Sequence, residues 1–253
     1  MLLSPVILAL LATTVIATSF ISGIFGMAGG LILLGVLLMV LDVGPAMILF
    51  GATQAASNGW RAALWWRHVQ WGLVWRFLIG STAVFLVLRL VALYPDKAWV
   101  YIGLGLSPFI ADVMPRKLTP DITRPGAPYI CGAIVLLMTL LAGVAGPILD
   151  VFYQKSALDR RQVVATKAVT QTTGHLYRIV YFGSFAAGTG NGIPSAVFIG
   201  AIAFAVVGTT LAARVLEGMS NEAFRHWSRR VIMAVSLIYL GRGLWLLAMG
   251  SSA

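Results

Sequence analysis

The chain alternates long apolar runs with short polar segments. Charge-free runs cover residues 1–41, 43–60, 98–111, 125–149 and 179–213. A helix that crosses a bilayer needs only about 20 mostly apolar residues. The pattern therefore predicts an all-α polytopic membrane protein. The segments that fit single spans are residues 45–60, 73–93, 98–113, 163–184, 194–213 and 230–248.

Two further apolar regions are too long or too broken to be single spans. Residues 5–41 would form a helix about 55 Å long, nearly twice the thickness of the hydrocarbon layer, and glycines interrupt it between residues 23 and 30. Residues 128–153 are interrupted by two glycines and a proline. Because glycine and proline disfavour helix interiors, each region is predicted to form a broken, re-entrant helical hairpin whose tip is buried in protein.

The two hairpins begin an internal repeat. The first tip, residues 26–30, aligns with residues 143–147 at an offset of 117. Downstream, residues 52–55 (Ala-Thr-Gln-Ala) align with residues 165–168 (Ala-Thr-Lys-Ala) at an offset of 113. The second register also pairs Ser57 with Thr170 and Asn58 with Gln171.

The repeat divides the chain into two predicted transmembrane halves, residues 1–113 and 128–253, joined by a cytoplasmic linker at 114–127. The chain has 18 basic and 8 acidic residues and a formal charge of +10. Since the basic residues cluster in short loops, this balance indicates a positive-inside orientation, and no nucleic-acid partner is expected. Each half then has one hairpin and three crossings, so the halves are inverted and both termini are periplasmic.

Both glycine tips are candidate anion sites. In inverted-repeat transporters, broken helices direct backbone N–H groups and partial positive charge at a substrate near the bilayer midplane. Gly29, Gly30 and Gly146 allow a ligand to approach the backbone closely, and Pro147 suits the first turn of a helix. The alternative is close helix packing through small residues.

The span that follows each hairpin carries polar residues on one face, at the spacing of an α-helix. Ionisable groups within a span normally line a cavity, so these faces are predicted to contact the substrate. The first face contains Gln54, Asn58 and Arg61, with Thr53 and Ser57 beside them. The second contains Lys167, Gln171, Gly174, His175 and Arg178, preceded by Thr166.

Several of these charged residues have a second interpretation. Lys167 lies about 9 Å along the helix from Arg161 and could extend its ammonium back to the interface. Arg178 could do the same on the other side, and His175 could form an interhelical hydrogen bond. Asp150 is either a protonatable coupling residue or the end of a helix at the interface.

Enzyme chemistry has little support in the sequence. The three histidines show no i, i+4 metal pair, and there is no nucleophile elbow or P-loop. The single cysteine, Cys131, excludes a cysteine metal cluster. No metal, cofactor or catalytic residue is expected. An anion channel, a membrane scaffold or an intramembrane enzyme using His175 remains as an alternative to a transporter.

Two copies of a glycine-rich break followed by an Ala-Thr helix resemble the TauE/SafE sulfite exporter family of bacterial inner-membrane proteins. The copies are Gly26–Gly30 with Ala52-Thr53 and Gly143–Pro147 with Ala165-Thr166-Lys167. The resemblance implies a multi-pass inner-membrane transporter that works in the export direction on sulfite, sulfoacetate or another organosulfonate and is driven by an ion gradient such as H+. The predicted binding residues are Gly29, Gly30, Thr53, Gln54, Asn58, Gly146, Pro147, Thr166, Lys167 and Gln171, with Ser57, Asp150, His175 and Arg178 as further contacts or coupling residues.

Overall fold

The computed structural model describes residues 5–25, 27–113, 120–143, 146–186, 193–218 and 221–249. Within these residues the chain forms ten α-helices and one short 3₁₀ turn, Trp66–His68. The helices are α1 Pro5–Phe25, α2 Met27–Val40, α3 Val43–Leu64, α4 Trp71–Val91, α5 Lys97–Val113, α6 Ala127–Leu141, α7 Gly146–Tyr153, α8 Arg160–Ala186, α9 Ser195–Gly218 and α10 Asn221–Ala248.

The helices follow the predicted spans, and the two long apolar regions are divided in two. Helix α1 ends at Phe25 and α2 begins at Met27, so the first division falls at the glycine-rich tip. Helix α6 ends at Leu141 and α7 begins at Gly146. Gly26, Val144 and Ala145, which belong to the two tips, lie outside the described residues, as does part of the predicted linker.

Local capping fixes the start of the helix that carries the second polar face. The Asp159 carboxylate accepts hydrogen bonds from the backbone N–H groups of Arg161 and Gln162, at 2.8 and 3.0 Å. The Gln162 side chain accepts one from the Asp159 N–H at 3.1 Å. This reciprocal capping box satisfies donors that a helix start leaves free. Helix α8 therefore begins beside the basic loop and runs away from it.

The helices pack in a small number of extensive pairs. Helices α3 and α8 cross at the centre, and the other large contacts are α1 with α9, α4 with α6, and α5 with α10. Glycines allow several of these pairs to approach closely. A methyl group at Gly208 on α9 would lie 2.5 Å from the carbonyl oxygen of Ile16 on α1, and one at Gly105 on α5 would lie 2.8 Å from that of Ser236 on α10.

The outer surface of the bundle is apolar. Large hydrophobic side chains on α4, α9 and α10 are exposed, with Leu90 at 86%. Helices α4 and residues 195–212 of α9 are long and apolar enough to cross a membrane, and shorter apolar segments occur in α1, α2, α6 and α10. The main core lies inside the bundle, around Leu34, Phe50 and Tyr181. This distribution is the one expected of helices that face acyl chains on one side and one another on the other.

Candidate functional site

The site is built on the antiparallel crossing of α3 and α8. A methyl group at Gly51 would lie 3.2 Å from the carbonyl oxygen of His175, and one at Gly59 would lie 3.7 Å from Cγ2 of Thr172. The residue numbers rise along α3 as they fall along α8. The two helices that carry the predicted polar residues therefore pack against each other, and we call the predicted set of residues the α3–α8 polar face. It comprises Thr53, Gln54, Asn58, Thr166, Lys167 and Gln171.

On α3 the polar residues are buried and held by short-range hydrogen bonds. The Thr53 hydroxyl donates to the carbonyl of Leu49, and the Asn58 amide donates to the carbonyl of Gln54 at 3.0 Å. Ser57 points to the neighbouring helix α9, where its hydroxyl lies 2.7 Å from that of Thr209. Helix α3 thus presents amide and hydroxyl groups at the crossing while its end carries the only cation of the stripe, Arg61.

On α8 the central charged residue is Lys167, which forms a salt bridge with Asp150 on α7. The pair is not sealed off, because the side chains remain 23% and 36% exposed. Ionised groups are unfavourable against acyl chains, so a pair with this exposure requires an aqueous approach. The salt bridge therefore connects α7, in the second hairpin, to α8, the polar helix that follows it.

The remaining residues of α8 surround this pair unequally. The Thr166 hydroxyl is buried and accepts a hydrogen bond from the Gln70 N–H at 3.0 Å, which ties α8 to the turn before α4. Gln171 is half-buried one turn beyond Lys167. Gly174 is buried, yet a methyl group there would have no neighbour within 4 Å. The stripe therefore borders unfilled space.

Arg178 lies deeper along α8 and is fully buried. Its Nη2 donates to the carbonyl of Thr139 at 2.7 Å and to that of Gly143, and Nη1 lies 3.1 Å from Nδ1 of His175. Its Cζ sits 4.8 Å from the ring centre of Phe50. Full burial excludes the interfacial alternative for Arg178. The guanidinium instead satisfies carbonyl groups that the end of α6 leaves without a helical partner.

The glycines of the two tips occupy different surroundings. A methyl group at Gly29 would collide with the backbone of Thr18 and Ser22 on α1, whereas one at Gly30 would meet the Gln54 side chain at 2.8 Å. Gly30 thus connects the first hairpin to the α3–α8 polar face, and Gly29 is a packing position. Gly146 and Pro147 are buried at the start of α7.

A family model described as Sulfite exporter TauE/SafE matches residues 10–241 of the chain. The chain belongs to the TauE/SafE sulfite exporter family. The resemblance inferred from the glycine tips and Ala-Thr helices is confirmed. Comparisons with curated proteins and with solved structures give no further significant match.

Membership fixes the general class of this exporter. It is a multi-pass membrane transporter of sulfur-containing anions and not an enzyme. An anionic substrate accounts for a polar interior in which cations outnumber carboxylates. Along α8 Lys167 and Arg178 are two such cations, and among the described residues the carboxylate of Asp150 pairs with Lys167, whereas Arg178 bonds to backbone carbonyls.

Arg61 lies on the predicted polar face but is not among the residues named as predicted binding residues. Arg61 lies in the last turn of α3, and its Nη2 is buried without a hydrogen-bond partner among the described residues. It is close enough to Lys167 for the two cations to repel each other. The seven-residue spacing from Gln54 placed Arg61 on the polar face, although Arg61 and Arg67 also belong to a basic segment that the positive-inside rule assigns to the cytoplasm.

Proposed function

We propose that this exporter is a secondary transporter for a small sulfur oxyanion, such as sulfite, sulfoacetate or another organosulfonate, in which Lys167 supplies the positive charge. The observation that carries this proposal is the partly exposed salt bridge between Lys167 of the α3–α8 polar face and Asp150 of α7. A charge-assisted hydrogen bond from an ammonium to an oxyanion is roughly twice as strong as a neutral one. A partly solvated lysine can therefore exchange its partner for a substrate.

The neighbouring groups suit the remaining oxygens of such an anion. Sulfite and sulfonates present three oxygen acceptors, and the polar face offers amide donors from Gln54, Asn58 and Gln171 in addition to Lys167. The glycine tip at Gly30 touches Gln54, and the start of α7 at Gly146 adds backbone N–H groups with partial positive charge. Together these donors would replace the hydration shell of the anion.

The pairing of the helices supports an inverted repeat that relates α1–α5 to α6–α10. If α1 corresponds to α6 and α9 to α4, the contact of α1 with α9 corresponds to that of α6 with α4. The same rule relates α3–α9 to α8–α4 and α2–α10 to α7–α5, while α3–α8 and α5–α10 map onto themselves. A two-fold pseudosymmetry axis through the α3–α8 crossing accounts for this pattern.

Transport then follows from movement of one repeat against the other around the α3–α8 crossing. Basic loops on the side where α8 begins are cytoplasmic under the positive-inside rule, which places both termini in the periplasm of an inner-membrane protein. Trp65 and Arg161 are in contact there, with Cζ 5.8 Å from the ring, as expected of interfacial anchors. Asp150 is the candidate coupling residue for H+, because it can bind a proton when it separates from Lys167.

Flux measurements in liposomes test this proposal. Purified protein is reconstituted, and uptake of sulfite and of small sulfonates is measured with and without a pH gradient. The wild type is expected to show saturable flux that responds to the gradient. Lys167→Ala is expected to lower kcat/KM about ten-fold to a hundred-fold, because it loses a charged hydrogen bond of about 1.5–3 kcal/mol.

Lys155→Ala provides the matched control, since Lys155 is an exposed lysine in the loop before α8. Its flux should equal that of the wild type. Full flux in Lys167→Ala would remove Lys167 from the site. Flux that rises linearly with concentration and ignores the gradient would instead indicate an anion channel.

A further inference from the structure

The charges around Lys167 are unbalanced. Lys167 is paired with the Asp150 carboxylate, and Arg61 is a second cation near enough to repel Lys167. Nη2 of Arg61 is buried and donates to no acceptor among the described residues. A buried donor on a charged group that lacks an acceptor is costly. One positive charge and at least one donor are therefore available beside the salt bridge.

We propose that the transported anion bridges Arg61 and Lys167 and takes the place of the Asp150 carboxylate at Lys167. This inference rests on the proposed function and adds Arg61 to its binding site. In the empty site Asp150 acts as an internal substitute for the substrate, and in the loaded site it is released. The carboxylate and a sulfur oxyanion offer the same chemistry to an ammonium group, namely negatively charged oxygen acceptors.

The geometry of the crossing brings Arg61 to this position. Gly51 faces His175 and, two turns further along α3, Gly59 faces Thr172. Continuing in the same antiparallel sense moves from Gly59 to Arg61 on α3 and from Thr172 towards Lys167 on α8. Arginine is also suited to the task, because its planar guanidinium can bind two oxygens of an oxyanion at once.

The other arginine of the polar stripe cannot take this role. The Nη2 of Arg178 is occupied by the carbonyls of Thr139 and Gly143; its buried Nε also lacks a partner among the described residues, but Arg178 lies eleven residues, about 16 Å, beyond Lys167 along α8. Arg61 has no such engagement of its Nη2. The two arginines therefore differ in function, with one holding the backbone and the other available to a ligand.

Charge balance gives a consequence for proton coupling. With Asp150 ionised, the cluster has one excess positive charge and is neutralised by a monoanion. With Asp150 protonated, the excess is two and matches a dianion. Among the described residues, Tyr153 and Cys131 lie in the apolar cluster that includes α7 and are neutral at physiological pH. Arg76 on α4 and Lys155 after α7 are exposed, and Asp121 is bonded to Thr123. Proton uptake at Asp150 should therefore accompany a dianionic substrate.

The test measures sulfite binding to the purified protein by isothermal titration calorimetry, alongside flux in liposomes. Arg61→Gln is expected to raise the Kd for sulfite ten-fold or more, and Arg61→Lys is expected to raise it less. Asp150→Asn is expected to lower the Kd at least three-fold, because the competing carboxylate is gone. Arg67 is an exposed arginine in the turn after α3, so Arg67→Gln is the matched control. Its Kd for sulfite should stay within two-fold of the wild-type value.

The Asp150 variant separates this inference from a structural role for the cluster. A salt bridge that only stabilises the fold would give weaker sulfite binding when broken, so a raised Kd in Asp150→Asn overturns the inference. If Arg61→Gln has an unchanged Kd for sulfite while the wild-type protein shows flux, the inference is overturned and the proposed function stays in place. Absence of both sulfite binding and flux in the wild type would contradict both.

Discussion

The two broken hairpins arise from similar sequences but have different roles. In the first, α1 and α2 are 21 and 14 residues long and are separated at a single residue. Gly29 sits against the backbone of α1 there. In the second, α7 has only 8 residues, and the end of α6 is held by Arg178 from α8. Close backbone packing therefore holds the first hairpin, whereas hydrogen bonds from the Arg178 guanidinium hold the second.

This difference shows that two regions with similar glycine-rich breaks need not be equivalent. Gly30 brings the first hairpin into contact with Gln54, a neutral amide. The second hairpin meets Lys167 through Asp150 and Arg178 through two carbonyl groups. All charged contacts described between a hairpin and a polar helix therefore belong to α6, α7 and α8. We expect changes in the second hairpin to have larger effects than matching changes in the first.

The largest effect is expected from Arg178→Leu. The carbonyls of Thr139 and Gly143 would lose their donor inside the protein, which costs about 1–3 kcal/mol for each buried group. Thermal unfolding in detergent should show a lower Tm than the wild type. Hydrogen exchange should increase at residues 139–153 and stay unchanged in α1 and α2.

Arg178→Lys keeps the charge but not the forked geometry, so its Tm should lie between those of Arg178→Leu and the wild type. Arg67→Leu removes an exposed arginine and should leave the Tm unchanged. If Arg178→Leu were as stable as the wild type, the burial of the charge would cost as much as its bonds contribute. Arg178 would then add no net stability to the second hairpin, and the proposed difference between the two hairpins would be wrong.

A smaller effect is expected from adjacent glycines in the first hairpin. Gly29→Ala would push a methyl group into the backbone of Thr18 and Ser22, and overpacking of this kind costs about 1–3 kcal/mol. Gly30→Ala meets only the movable Gln54 side chain, so its Tm should change little while its Kd for sulfite rises. Equal stability of the two variants would contradict the packing role of Gly29.

Much of the fold was accessible from the sequence because apolar runs and helix breakers act locally. The six spans match helices of the structure, although α10 begins nine residues before the predicted span 230–248. The capping residues Asp159 and Gln162 explain where α8 begins. The ion pair of Lys167 with Asp150 was not predicted, although both residues were named, since a contact across two helices leaves no periodic signal.

The role of Arg178 shows where sequence reasoning reaches its limit. Its partners are backbone carbonyls at Thr139 and Gly143, 39 and 35 residues earlier in the chain, and every residue carries a carbonyl. Arg61 gave a weak signal through its spacing from Gln54, but the same arginine also fitted a basic interfacial loop. Only the packing of α3 against α8 shows that Arg61 belongs with the polar residues and not with the basic loop.

The smallest effect compares the polar helices that follow the hairpins, using Ser57 and its repeat counterpart Thr170. The Ser57 hydroxyl joins α3 to α9 through Thr209 at 2.7 Å, whereas the Thr170 hydroxyl donates to the carbonyl of Lys167 in its own helix at 3.0 Å. Interhelical hydrogen bonds in membrane proteins contribute about 0.6 kcal/mol on average.

Ser57→Ala should lower the free energy of unfolding by about this amount, and Thr170→Val should lower it by less, because a local bond to an already paired carbonyl adds little. A double-mutant cycle of Ser57→Ala with Thr209→Ala, measured by denaturant unfolding in detergent, isolates the energy of the Ser57–Thr209 hydrogen bond. A coupling energy near zero would mean that α3 and α9 are held by packing alone, as the first hairpin is.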